Sequence, residues 1–417
     1  MPARRLAARW VLPVSAPAIE CGAVLLDPEG RIAAAGPDTR VPRPAGVPEE
    51  RFEDAVLLPG LVNVHTHLEL TGFDFGGPPE ADFRSWIGRV RATKEHRSAE
   101  AFAAAARRGV ADCWAGGVTT IADTGDSGSV IEALAELGGS GVAYHEVFGP
   151  HPAQAEESLA GLRRRLEELG RFAGGRVRLG VSPHAPYTVS GPLYGATAAC
   201  ARAAGLPIAV HLAESPGESE LVLRGTGPFA ATWRERGIPL PPAPGCSPVE
   251  WLDRHGVLGE STLCIHVVQA DEADLALLAR RASAVAHCPL SNAAHRHGTA
   301  PLARFLAHGL RVGLGTDSVL SVGALDLLAE ASAARRLGGL AAEAALALAT
   351  LGGARALGLE REIGSLEPGK WGDCVVIRPR TLAGAEPAEQ VLQARREDVV
   401  ATFLGGRDVY RADPVRA

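Results

Sequence analysis

Apolar positions along the chain fall into two patterns. Between residues 59 and 365, eight short apolar runs, most rich in β-branched residues, alternate with stretches of helical periodicity. The runs are LVNVHTH (61–67), VTTIAD (118–123), VAYHEVFG (142–149), VRLGVSPH (177–184), IAVHLAE (208–214), TLCIHV (262–267), SAVAHCP (283–289) and RVGLGTD (311–317). AQAEESLAGLRRRLEELGRF and EADLALLARRA typify the helical stretches between them. Strand and helix alternating eight times predict an α/β fold, a (β/α)8 TIM-like barrel, whose usual size of about 250 residues fits with insertions. Residues 1–58 and 366–417 instead carry short strands and turns, as in AVLLDPEGRIAAAG, DCVVIRP and VVATFLGGRDVYRA. Neither end is long enough for a core of its own, so the two are expected to pair into one small sheet domain. The expected domains are therefore 1–58 and 366–417 around a barrel at 59–365.

The runs share a further feature. Nearly every one ends in a polar or ionisable residue: His65 and His67, Asp123, His145 with Glu146, His184, His211 with Glu214, His266, His287 and Asp317. Strand C-termini of a barrel converge on one face, where such enzymes build their active sites. Ordinary core strands end in turn residues, yet seven of the 13 histidines lie at or near these ends.

Composition narrows the function classes. The chain has 417 residues, with 42 basic against 48 acidic and no dense basic block, so a nucleic-acid surface is not indicated. No apolar run is long enough to span a membrane. The seven cysteines are scattered and form no CxxC pair, which reads as reduced thiols in a cytoplasmic protein. The opening MPARRLAARWVLPVSAPA resembles a signal peptide weakly, but Pro13 and Pro17 break its short apolar stretch, and an N-terminal strand is expected instead.

His65 and His67, at i and i+2 of an extended strand, point to one side and can meet one ion. Imidazole suits zinc, iron or nickel. His211 supplies a third ligand and Asp317 a carboxylate, leaving an open position for water, whose pKa such a metal lowers to about 7. Glu214 lies close enough for general acid/base work, and His266 for steadying a developing oxyanion. Taken singly, each has a structural alternative: a strand-end His satisfied by a carbonyl, Glu214 as a helix cap, Asp317 as an N-cap. Four such coincidences in order along eight strands are improbable. Only two lysines occur, Lys94 and Lys370, and neither lies at a mid-barrel strand end where a carbamylated lysine would bridge two ions, so one metal ion is expected.

LPGLVNVHTHLELT, SPHAPYT, VHLAES, CIH, CPLSN and GLGTDS together resemble the amidohydrolase superfamily, in its mononuclear deaminase branch. The resemblance covers nearly the whole chain and implies a flanking β-sandwich. It also implies one Zn2+, or Fe2+, held by His65, His67, His211 and Asp317, with Glu214 and His266 handling protons. HTHLEL, FRSW with Trp86, and YHEVFG are similar to the aminodeoxyfutalosine deaminases of menaquinone biosynthesis. SPHAPYT and Glu95 also match the methylthioadenosine and S-adenosylhomocysteine deaminases. Both groups hydrolyse the 6-amino group of an adenine nucleoside, with metal-bound hydroxide as the attacking species. The resemblance implies Trp86, Glu95 and His184 as contacts to a small-molecule nucleoside. Glu69, of the same strand parity as His65 and His67, is a further candidate for the pocket. Dimers are common in the family, and a homodimer is the assembly to test for.

Three features depart from that pattern. Tyr144, His145 and Glu146 stand where S-adenosylhomocysteine deaminases place carboxylate-gripping arginines, which argues against that substrate. His295-Arg296-His297 occupies a usually apolar stretch, either a solvated turn or a pocket edge. The insertion at 224–248 is either a lid or a rigid Pro-rich loop. The alternative functions are hydrolysis of another heterocycle on the same fold, such as a cyclic amide, cytosine, guanine or triazine, and a non-catalytic barrel scaffold.

Overall fold

A computed structural model describes residues 2–73, 82–240, 245–382 and 386–413. The chain divides into two compact units: Met1–Val64 with Val110–Ile121 and Leu325–Ala417, and His65–Gly109 with Ala122–Ala324.

In the first unit, strands from both ends of the chain share one seven-stranded sheet. They are β1 (Arg4–Val11), β2 (Ile19–Leu26), β3 (Ile32–Pro37), β4 (Glu49–Pro59), and, from the C-terminal part, the segments Cys374–Ile377, Val399–Leu404 and Arg407–Arg411. β4 pairs parallel with β1 and antiparallel with Cys374–Ile377, which joins the two ends directly. The Asp27–Gly30 turn closes the β2–β3 hairpin: Gly30, at φ +82, donates its N–H to the Asp27 carbonyl at 3.0 Å. Leu6, Val24, Leu26, Leu57, Val376 and Phe403 are buried together and form the apolar face the pattern predicts.

The eight apolar runs of the middle region all become strands. They are β5 (Leu61–Thr66), β6 (Val118–Gly125), β7 (Gly141–Val147), β8 (Val177–Pro183), β9 (Ile208–Leu212), β10 (Thr262–His266), β11 (Ala284–His287) and β12 (Arg311–Leu314). They lie side by side in chain order in one sheet. A parallel bridge between Thr66 and Asp317, with the Asp317 N–H donating to the His65 carbonyl at 3.0 Å, brings the first and last runs together. The result is the expected TIM-like barrel. Its strands are buried along almost their whole length, which explains why they read as continuous apolar runs rather than alternating ones. Among the described residues, no helix is long and apolar enough to cross a membrane, and no cysteine forms a disulfide.

One buried charge holds the first unit's edge. Arg5, 1% exposed, donates to Glu49 at 2.7 Å and to Asp38 at 2.5 Å. Burial acts to raise the Asp38 carboxyl, but hydrogen bonds from Arg5, Arg51 and Arg43 outweigh it and hold it at about 2, against an ordinary 3.8. Because the folded pKa is depressed, the stabilisation is present above pH 3.8 and lost as pH falls toward 2. The midpoint of urea unfolding should therefore fall steeply below pH 4. Arg5→Met should flatten that fall and cost about 2 kcal/mol at pH 7, less than a fully buried pair because Arg43 and Arg51 remain.

Candidate active site

The ends of β5, β9, β10 and β12 deliver five side chains to one place. His65 sits within β5 and His67 just beyond it. His211 belongs to β9, His266 closes β10, and Asp317 follows β12. The Nε2 atoms of His65 and His67 lie 3.4 and 3.5 Å from Asp317 Oδ1. Single donor atoms of His65, His67 and His211 lie within 4.8 Å of one another, as do those of His65, His266 and Asp317. The four residues expected to hold a metal thus share one buried locus, with His266 beside them.

Backbone acceptors orient the imidazoles. His67 Nδ1 donates to the Thr124 carbonyl at 2.8 Å, and His211 Nδ1 to the His184 carbonyl at 3.2 Å. A carbonyl can only accept, so the hydrogen is on Nδ1 and the Nε2 lone pair is left for an ion. Burial pushes His67 down to about 3 and His211 well below its ordinary value, so both are neutral at pH 7, the form that binds metal. Burial acts to raise Asp317, yet the hydrogen bond and charge of His65, with His67 and His266, hold its carboxyl well below the usual range. Asp317 Oδ2 accepts from Ser291 Oγ at 2.5 Å and Oδ1 from the Ser318 N–H at 2.7 Å. Three imidazoles and one carboxylate suit a divalent ion of the zinc type. Space is tight: a β-carbon on Gly315 would stand 2.7 Å from the His65 β-carbon.

The backbone is strained at the same strand ends. Ala213, His266, Val267 and Asp317 have φ of +49, +72, +51 and +60, each costing about 1–3 kcal/mol for a non-glycine residue. Glu218, fully buried in the helix Pro216–Arg224, offsets part of this. Its two oxygens accept from the N–H groups of Ala213 at 2.7 Å and Glu214 at 2.9 Å. Sequence reasoning missed Glu218; its spacing of four from Glu214 is the only cue.

Glu214 is 4% exposed. Its Oε2 accepts from the Tyr187 hydroxyl at 3.2 Å, and its Oε1 lies 3.5 Å from both His266 Nε2 and His297 Nδ1. Burial, reinforced by the charges of Asp317 and Glu218, raises its carboxyl well above the ordinary value. His266 Nδ1 is 2.9 Å from Asn292 Oδ1, which can only accept, so its Nε2 faces Glu214 without the hydrogen unless the ring is protonated. Tyr187, Ser291 and Asn292 lie within SPHAPYT and CPLSN, where the sequence carried a resemblance but no role.

These groups open into a cleft of about 1130 Å³. One wall is α1 (Phe83–Glu95), whose Trp86 is nearly buried against Phe83 and His295, with ring centroids 5.8 and 4.4 Å away. His295 and His297 are therefore a buried pocket edge and not a solvated turn, with His297 packed edge-on against Phe83 at 4.4 Å. His184 lines the cleft, its ring 4.7 Å from that of His211 and its Nδ1 2.8 Å from Thr188 Oγ1. Glu95 lines the outer rim, where its side chain is 57% exposed and accepts from Arg91 at 2.9 Å. Its neighbour Lys94 turns inward instead, donating to Glu69 and Asp126. Glu69 is 1% exposed beneath it, with Oε2 accepting from the Ser127 N–H at 3.1 Å. Asp123 anchors the first strand end by accepting from Thr66 Oγ1 at 2.9 Å and the Leu68 N–H at 2.6 Å. His287 is buried against Phe305, with ring centroids 6.3 Å apart. The insertion folds in part as the helix Gly227–Glu235, whose Phe229 and Trp233 pack with Tyr187. Residues 241–244 of that insertion lie outside the described residues.

Comparison with known proteins agrees with this geometry. The Amidohydrolase family matches residues 56–409. An aminodeoxyfutalosine deaminase of Deinococcus radiodurans is 35% identical over 339 residues, covering 78% of this chain and 79% of that one. A 5-methylthioadenosine/S-adenosylhomocysteine deaminase of Symbiobacterium thermophilum is 31% identical over 96% of this chain and 92% of its own. Among solved structures, an adenosine deaminase from Xanthomonas campestris with bound zinc superposes with a TM-score of 0.80 at 25% identity, covering 97% of this chain and 92% of that one. The barrel and the family match agree, and the chain belongs to the amidohydrolase family, an enzyme family of metal-dependent hydrolases.

Proposed function

We propose that this protein hydrolytically removes the 6-amino group of an adenine nucleoside, one resembling aminodeoxyfutalosine, and releases ammonia. The observation that carries the reading is Glu214: a buried carboxyl with raised proton affinity, 3.5 Å from His266, on the same cleft as the His65–His67–His211–Asp317 cluster. Relatives named as deaminases of adenine nucleosides support the substrate class. One Zn2+, with Fe2+ as the alternative, is the ion we assign to His65, His67, His211 and Asp317; when bound it supplies Lewis acidity that activates water.

The chain's own residues divide the proton work. Glu214, whose proton affinity burial raises, delivers a proton to the ring nitrogen beside C6, so that charge does not build on the ring as water adds. Asp317, kept ionised, accepts a proton from the attacking water. His266, its Nδ1 hydrogen turned to Asn292, presents the Nε2 lone pair to accept a hydrogen bond from the water that adds to C6. Asp317 then passes its proton to the amino group, which leaves as ammonia, and the added hydroxyl returns its proton to Glu214 as the C6 carbonyl forms. Trp86 offers an apolar wall to the base, and His184 and Glu95 line the side of the cleft that positions the rest of the nucleoside, with Glu69 buried behind Lys94. The same reading keeps residues 59–365 as the catalytic barrel, with 1–58 and 366–417 as a β-sandwich. It places the enzyme in the cytoplasm and in menaquinone biosynthesis, with a homodimer as the assembly to test.

Ammonia release from aminodeoxyfutalosine, adenosine and methylthioadenosine should be measurable, and turnover confined to non-purine rings would overturn the substrate class. Glu214→Gln should lower kcat by roughly 10²–10⁴-fold with metal content unchanged, measured by ammonia release and elemental analysis. Dialysis against a chelator should abolish turnover, and one equivalent of zinc or iron per chain should restore it. A preparation that is fully active without either ion would refute the metal assignment.

A further inference from the structure

Glu146 carries an inference that rests on the deaminase reading and extends it from the base to the sugar. It stands next to last in β7 and lines the cleft at 6% exposure. Among the described residues, its Oε1 has no hydrogen-bond partner. The nearest candidate, His184 Nε2, is 4.0 Å away, too far for a hydrogen bond. Lys94, on the same side of the cleft, already donates to Glu69 and Asp126. A buried carboxyl oxygen left unmatched is costly, and buried polar groups are as a rule paired, so an unmatched oxygen on a residue that lines a cleft points to a donor carried by a ligand.

Placement says which part of the ligand that is. Glu214 faces the Tyr187–His297 side of the cleft, so the ring nitrogen it protonates points there. Glu146 lies on the other side of His211, across His184, where one of its oxygens, a His184 nitrogen and a His211 nitrogen lie within 4.8 Å of one another. With C6 at the His65–Asp317 locus and its neighbouring nitrogen at Glu214, the remainder of the nucleoside extends past His184 toward Glu146. Carboxyls gather on that side: Glu69 and Asp126 both accept from Lys94 close to Glu146, and a hydroxyl donor fits the oxygen they leave unmatched.

We propose that Glu146 accepts a hydrogen bond from a ribose hydroxyl and thereby sets the enzyme's preference for a hydroxylated sugar. A carboxyl oxygen accepts whether or not the group is protonated, so the contact does not depend on its titration. Glu95, expected from the sequence to hold the sugar, is committed to Arg91 at the solvent rim. His145, one residue earlier, faces a separate small cavity with Leu169 and Leu179.

A mutation–substrate cycle tests this. Steady-state kinetics would be measured for the wild type, Glu146→Ala and Glu146→Gln with adenosine, 2′-deoxyadenosine and 3′-deoxyadenosine. Glu146→Ala should raise KM for adenosine roughly ten- to hundredfold with little change in kcat, the range for a lost hydrogen bond to a carboxylate. It should no longer distinguish adenosine from the deoxy analogue that the wild type handles poorly. Glu146→Gln, which keeps an acceptor oxygen, should retain most of the discrimination. An equal penalty in Glu146→Ala on all three substrates would overturn the proposal, because a structural role does not read sugar hydroxyls. Metal content and thermal unfolding show whether the alanine variant is folded, and if it is not, the same comparison with the glutamine variant and Glu146→Met decides. Wild-type enzyme that turns over no 6-aminopurine nucleoside would overturn the deaminase reading and this inference with it. Turnover without coupling to Glu146 would overturn this inference alone.

Discussion

The hydrogen bond from the Asp317 N–H to the His65 carbonyl joins the last strand run to the first, and the chemistry depends on it. It fixes the height at which both residues leave their strands, and so sets Asp317 Oδ1 within 3.5 Å of two imidazole nitrogens. Asp317 takes φ +60 to make that bond while turning its carboxylate inward. A non-glycine residue adopts such a backbone only where its surroundings over-determine it. Here they do: Ser291, Ser318 and the His65 carbonyl each hold one polar group of the residue. Similar strain at Ala213 and His266 is braced by Glu218 and by packing, so the site is rigid before any ligand arrives.

Much of this was legible in the sequence for a simple reason. Barrel strands are buried on both faces, so each appears as an uninterrupted apolar run, and any ionisable residue at its end stands out. His65, His67, His211, His266 and Asp317 were all visible in this way. Residues acting across the cleft were not. Lys94 and Glu95 differ by one position in α1, and a turn of about 100° per residue sends one inward and the other to solvent. No local pattern tells which does which, because that depends on how α1 lies against the strand ends. Glu146 stood out as a strand-end residue and as a departure from a resemblance; its burial and unmatched oxygen are three-dimensional facts.

His295 and His297 show the same limit from the other direction. Two histidines flanking an arginine left a solvated turn and a pocket edge equally open, and both rings prove buried, packed on Phe83 and Trp86. Imidazole can do this because burial removes its charge: His297 is held at about 3. A neutral ring is flat and partly apolar, and it stacks on aromatic neighbours while keeping a nitrogen for polar partners. His297 keeps Nδ1 toward Glu214, and His295 keeps Nε2 at 3.0 Å from Ser321 Oγ. The motif therefore joins the aromatic wall of the cleft to the polar groups around the carboxylates.

Those carboxylates differ in their surroundings. Glu214 and Asp317 are both buried, and burial alone would raise both. Asp317 is surrounded by imidazoles that favour its ionised form. Glu214 instead feels the negative charges of Asp317 and Glu218, and only the Tyr187 hydroxyl opposes the rise. One group is thus pushed toward accepting protons late and the other toward keeping one at neutral pH. Two acids whose environments drive them apart are what hydrolysis across a C–N bond requires, since water must lose a proton as the ring gains one. The asymmetry follows strand order: Asp317 follows β12, beside the paired histidines of β5, while Glu214 follows β9, where the charges of Asp317 and Glu218 reach it.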